Sequence, residues 1–204
     1  MKSLLTTREK EKLEGFSGNV IQSDGYSGYD SAVKYWNENH LDHQITHANC
    51  NVHVRRKFSD SVKATKSKTA KEAVCIYKEI FKAENELRDK FEQKQITEEE
   101  FLKLRQEKVQ PIFEKFYNWL LEKDSCRYLT SSETAKAIKY CLKHWGNLTN
   151  YLNYSFLTPD TNAAERAVKP FVTTRKNFLF SGSGLGAKSS CFLFTLIETA
   201  KSMD

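Results

Sequence analysis

The chain of 204 residues has no run of about 18 apolar residues, which excludes a membrane-spanning helix of the usual kind. After Met1 and Lys2 only Leu4 and Leu5 precede polar residues, so no signal-peptide core is expected. The cysteines, Cys50, Cys75, Cys126, Cys141 and Cys191, are odd in number and scattered. That distribution fits reduced thiols and a cytoplasmic location better than a disulfide framework. Gly182, Gly184 and Gly186 lack the Lys-Ser/Thr that a phosphate-binding P-loop requires, so they read as a tight turn. Aspartate is absent from residues 1 to 23, where the only acids are Glu9, Glu11 and Glu14.

What is present is charge of both signs, unevenly spread. Lysine and arginine total 32 against 26 acids, a net charge of +6. Between Arg55 and Lys71 lie Arg55, Arg56, Lys57, Lys63, Lys66, Lys68 and Lys71, opposed by Asp60 alone. Such a block suits contacts to a phosphate backbone, which position a protein without reading sequence. Charge by itself leaves a solvated helix face equally open.

Two carboxylates stand out by their surroundings. Val20 to Asp24 is a short strand-like run ending in an acid, followed by D-G-Y-S-G-Y-D with two glycines to turn the chain into a helix. An acid at a strand tip is where α/β folds present functional carboxylates. Glu165 lies in D-T-N-A-A-E-R-A-V-K-P-F-V, where Asn162, Glu165, Arg166 and Lys169 recur at spacings of three and four and share a helical face. An isolated E-R-x-x-K is an ordinary surface ion-pair pattern, but a carboxylate that holds a divalent cation beside a nucleic-acid backbone gains from neighbouring cations. His47, Cys50 and His53, with His40, His43, Cys141 and His144, invite a zinc reading. Structural zinc wants four ligands in two paired clusters, and that spacing is not met, so zinc is not expected.

Five ordered segments carry a wider resemblance: D-G-Y-S-G-Y-D at 24–30, C-N-V-H-V-R-R-K-F at 50–58, N-A-A-E-R-A-V-K-P-F-V at 162–172, R-K-N-F-L-F-S-G-S at 175–183 and L-I-E-T-A-K at 196–201. Together they resemble the transposases of the IS66 family of bacterial insertion sequences. The resemblance implies a DDE transposase with a ribonuclease-H-like catalytic domain, whose three acids bind two Mg²⁺ (or Mn²⁺) ions for cutting and joining DNA. On that basis Asp24 matches the second acid and Glu165 the third, both as catalytic metal ligands. Arg55, Arg56, Lys57, Arg166, Lys169, Arg175 and Lys176 become the expected DNA contacts. Partners implied are DNA, at the element ends and target, and a transposase oligomer or an upstream fragment, with no membrane. The implied location is the cytoplasm, on the nucleoid when DNA is bound.

The first acid of that set has no counterpart here. Three strands and a helix should precede the second acid and need about 35 residues, more than the 23 present. The chain also stops soon after L-I-E-T-A-K. The expectation is a C-terminal transposase part trimmed at both ends and inactive alone; the alternative is a non-catalytic remnant that binds DNA or a transposase.

The expected fold is α+β and mostly helical: a partial ribonuclease-H-like core with a long helical insertion. Residues 1–65 would hold the core remnant and basic helix, 66–130 the insertion, and 131–204 the C-terminal helices with the third acid. Gln44 to His47 reads as a second strand. Ala73, Val74, Tyr77, Ile80, Phe81, Leu87 and Phe91 follow helical spacing, and Thr97 with Glu100 forms a capping box before a second long helix that Pro111 should kink. A third helix is expected from Ser132 to Tyr151, and a last one with Cys191, Phe194, Ile197 and Ala200 inward.

Overall fold

The structure is a computed structural model, and it describes residues 13, 16–125, 132–162, 166, 169, 170, 172, 173 and 183–201. The chain divides into two compact units, 1–160 and 161–204.

The first unit begins with a parallel strand pair. Strand β1 (Val20–Ser23) lies beside β2 (Thr46–Asn49), with Val20 opposite Thr46 and Ser23 opposite Asn49. Parallel strands need a crossover, and helix α1 (Ser27–Asn39) supplies it. Ala32 and Val33 of α1 bury with Leu13 and Ile45 in a small core flanked by Phe16, Ile21 and Trp36. The second strand starts two residues later than its sequence suggests. Gln44 Nε2 donates to the carbonyls of Asn37 and His40, and Asn37 Oδ1 takes the Ile45 amide, so residues 44–45 close α1 before pairing starts.

Helix α2 (Asn51–Thr65) leaves the carboxyl end of β2 and ends at Lys66, whose φ of 56° turns the chain. Helix α3 (Lys68–Glu92) follows, its start fixed by Ser67 Oγ accepting the Ala70 amide. The apolar spacing along it holds: Ala73, Tyr77, Ile80 and Leu87 are buried. The Thr97 and Glu100 capping box is formed and opens α4 (Glu98–Lys108). Helix α5 (Gln110–Ser125) resumes after Val109. The break falls just ahead of Pro111, whose ring and missing N–H prevent an unbroken helix. Phe58, Tyr77, Phe101, Phe113, Phe116 and Leu120 fill the main core with Ile138 and Tyr151.

The expected third helix is three pieces: α6 (Glu133–Lys143), α7 (Trp145–Thr149) and a 3₁₀ turn at Asn150–Asn153. Asn147 and Asn150 donate to Asp30 Oδ1 and the His47 carbonyl, and these distant anchors replace straight helical continuation. The main core also encloses charge. Arg105, fully buried, gives Nε and Nη2 to the two oxygens of Glu84 at 3.1 and 2.5 Å. Its remaining N–H groups reach the carbonyls of Tyr151, Tyr154 and Leu157 at 3.0, 2.9 and 3.1 Å. Arg88 adds bonds to the carbonyls of Ser155 and Leu157. Helices α3 and α4 thus grip the stretch 151–157.

In the second unit the described helix is α8 (Gly184–Lys201), none of whose residues is buried. Cys191, Ile197 and Ala200 are exposed and Phe194 half-buried, contrary to the inward face expected. Apolar residues occupy so much of the helix circumference, Leu185, Phe192, Leu193 and Leu196 included, that the pattern does not single out one face. Among the described residues the architecture is α+β and mostly helical, and no described helix is long and apolar enough to cross a membrane.

Candidate site at the strand tips

Asp24 follows the last residue of β1 directly, at the carboxyl end of a parallel pair, the end where open α/β sheets place ligands. Its side chain is exposed, and Oδ1 accepts the Tyr26 amide at 3.1 Å. Gly25, at φ 81°, makes the turn. A Cβ there would lie 2.0 Å from the Tyr140 hydroxyl, so both backbone and space require glycine. Asp24 forms no ion pair among the described residues, leaving hard oxygen atoms open to a divalent cation. The carboxylate therefore fits the role of a single ligand to Mg²⁺.

Beside it, Asn49 ends β2 at 1% exposure, and neither atom of its amide finds a partner among the described residues. The Nδ2 lies 3.6 Å from where a Cβ on Gly25 would stand. A buried amide left unpaired costs about 1–3 kcal/mol, so the strand tips retain unused hydrogen-bonding capacity.

Behind the turn runs a chain of polar contacts that the sequence did not announce. Ser23 Oγ is 2.8 Å from His47 Nε2, and His47 Nδ1 is 2.8 Å from Asp30 Oδ1. Asp30 Oδ2 faces His144 Nδ1 at 3.5 Å. Burial lowers the pKa of His47, outweighing the Asp30 charge that raises it. His144 is lowered by the same cause, again against Asp30. Burial, with the Asp30 charge next, pushes the Tyr140 hydroxyl up to about 12. Lys57 Nζ sits 4.8 Å from the centre of the Tyr140 ring.

Of the expected DNA contacts, Arg56 and Lys57 are exposed on α2, and Arg55 is half-buried with its guanidinium 5.7 Å from the Phe81 ring centre. Arg166 and Lys169 are exposed in the second unit. Glu165, Arg175 and Lys176 lie outside the described residues. Of the residues of the zinc reading, His40 contacts the Trp36 carbonyl and His43 the Gly18 carbonyl, Cys50 and Cys141 are buried, and His47 and His144 both face Asp30. Among the described residues no group of three or more His, Cys, Asp or Glu is placed to hold a metal.

The chain running towards Glu165 is fixed at the same end of the sheet. Gln22 Nε2 donates to the Thr158 carbonyl at 2.7 Å, and the Asn51 amide donates to the Pro159 carbonyl at 2.8 Å. Residues 158–159 are thereby held against β1 and the start of α2.

Fold and site define the class: an α+β protein in which a parallel β-α-β unit carries an acidic turn on a helical scaffold. Within that class the chain belongs to the family described as "Transposase IS66 family", which matches residues 6–189. It is similar to two uncharacterized proteins of Sinorhizobium fredii. With y4jD it is 34% identical over 197 residues, 96% of this chain and 37% of the relative. With y4qI it is 34% identical over 189 residues, 93% of this chain and 34% of the relative. The chain thus spans roughly a third of the length of these relatives. No solved structure matches it.

Proposed function

We propose that this chain supplies two acids, Asp24 and Glu165, of a DDE-type transposase centre on a partial ribonuclease-H-like core, acting in DNA transposition of an insertion sequence. The observation that carries this reading is the anchoring of residues 158–159 at the carboxyl end of the β1/β2 pair that presents Asp24. Glu165 follows Asp160 by five positions, a path of at most about 18 Å fully extended and about 8 Å as helix. In this reading the two acids serve one site although 141 positions separate them in the sequence.

Asp24 and Glu165 would hold Mg²⁺ or Mn²⁺, which supplies activation of the attacking oxygen and stabilisation of the leaving one. The protein's own residues do the rest. Arg55, Arg56 and Lys57 on α2, with Arg166, Lys169, Arg175 and Lys176, contact DNA phosphates and set the strand's position. In this reading residues 1–65 are the core remnant, 66–130 the insertion that braces it and 131–204 the helices with the third acid.

Mn²⁺ added to isotopically labelled chain should broaden the amide signals around Asp24 and around Glu165 together, and Asp24→Ala should abolish both effects. Broadening at one acid without the other would sink the shared site. With two acids of three, the chain alone should bind plasmid DNA in a salt-sensitive manner without nicking it. Mn²⁺-dependent nicking that disappears in Asp24→Ala would overturn that part.

A further inference from the structure

Asp30 closes the D-G-Y-S-G-Y-D segment and sits in the first turn of α1. Its carboxylate can only accept, so the His47 Nδ1 at 2.8 Å must carry the proton. The neutral ring then offers a lone pair at Nε2, and the Ser23 hydroxyl, 2.8 Å away, donates to it. With its hydrogen committed, Ser23 Oγ presents lone pairs to the Gly25 amide at 3.2 Å. Every bond from Asp30 to Gly25 thus has one polarity. Ser23 and His47 are 6% and 5% exposed, so water does not compete for these groups. Asn147 braces the origin by donating to Asp30 Oδ1 at 3.1 Å.

We propose that Asp30 and His47 are positioning residues, orienting the Asp24–Gly25 turn through Ser23 and so aiming the Asp24 carboxylate. This rests on the reading of Asp24 given above. The groups facing the relay are Asp30 from α1, His144 from the end of α6, Tyr140 with its ring centre 4.5 Å from that of His144, and Lys57 and Lys143 acting on His144. Protonating His47 would place a second donor against Ser23 Oγ and force its hydrogen away, undoing the polarity.

The test uses the whole labelled chain. Long-range nitrogen–proton spectra should show His47 as the Nδ1–H tautomer, changing to Nε2–H in Asp30→Ala. Gly25 amide exchange should accelerate about 10-fold or more in Ser23→Ala and Asp30→Ala while amides of α3 stay unchanged. Ser23→Thr, which keeps the hydroxyl, should restore protection. Mn²⁺ affinity at Asp24 should fall by about 10-fold or more in Ser23→Ala, as for other residues that orient ligands. An Nε2–H tautomer in the unaltered chain, or unchanged Gly25 exchange in Ser23→Ala, overturns the proposal even if Asp30→Ala fails to fold. If Gly25 loosens as stated but Asp24→Ala leaves Mn²⁺ binding intact, the relay stands and the metal role of Asp24 falls.

Discussion

Replacing Arg105 by methionine should cost more stability than any surface change in the molecule. A guanidinium has five N–H donors, and each of those on Arg105 has an acceptor: two on Glu84 and three on the carbonyls of Tyr151, Tyr154 and Leu157. Methionine keeps most of the volume and removes all five bonds. Among the described residues Glu84, 1% exposed, would keep only Arg88 Nη2 at 3.4 Å. Breaking a buried pair by removing one partner costs about 3–5 kcal/mol, a large part of the roughly 5–15 kcal/mol that holds a typical domain. Adding Glu84→Met should recover part of that loss, since no buried carboxylate is left unpaired, but the three carbonyls remain orphaned. The double variant should therefore lie between the single variant and the parent, with a coupling of about 1–3 kcal/mol. Urea unfolding followed by circular dichroism reads all three differences. An Arg105→Met chain within about 1 kcal/mol of the parent would show that the pair offsets only its own desolvation.

Phe116→Ala should destabilise by about 3–5 kcal/mol in the same assay, because its fully buried ring meets Phe58, Tyr77, Trp119 and Trp145. Gly25→Ala should lose stability through both its positive φ and the Tyr140 hydroxyl. Tyr140→Phe in that background should relieve most of the clash, the ring carbon staying 3.3 Å from the added Cβ, and leave about 1–2 kcal/mol of backbone strain. His47 and His144 have folded pKa values below the unfolded 6.5. The unfolded chain therefore binds protons first, so stability present above about pH 6.5 should decline as pH falls below it. Urea midpoints at pH 7.5 and 5.5 check this, and a midpoint that rises on acidification would contradict it.

Local signals in the sequence were strong where local physics decides. The stripe of α3, the Thr97 cap and the break ahead of Pro111 depend on neighbours three or four residues apart, and all three are present. The strand-tip position of Asp24 followed from a short apolar run and a glycine. Glu84 and Arg105 were missed, although a signal existed: Glu84 interrupts the buried series Ala73, Tyr77, Ile80 and Leu87 in its own register. A charge at a stripe position demands a buried partner, but nothing local names Arg105. The Ser23, His47 and Asp30 relay was illegible because its members meet only after β1, α1 and β2 are assembled, and Asn147 joins from 117 positions away. Sequence spacing cannot encode a contact that tertiary closure creates.

The grip of Arg105 and Arg88 on the carbonyls of residues 151, 154, 155 and 157 bears on how such a chain can change over generations. Carbonyl oxygens are the same whatever side chain follows, so the gripped stretch is free to drift in sequence while the two arginines and Glu84 are not. Helices remote from a sheet are ordinarily the part a lineage can shorten or discard. Here removing α3 and α4 would release the backbone that leads to Pro159, so these two helices are inherited with the strand tips or lost with them.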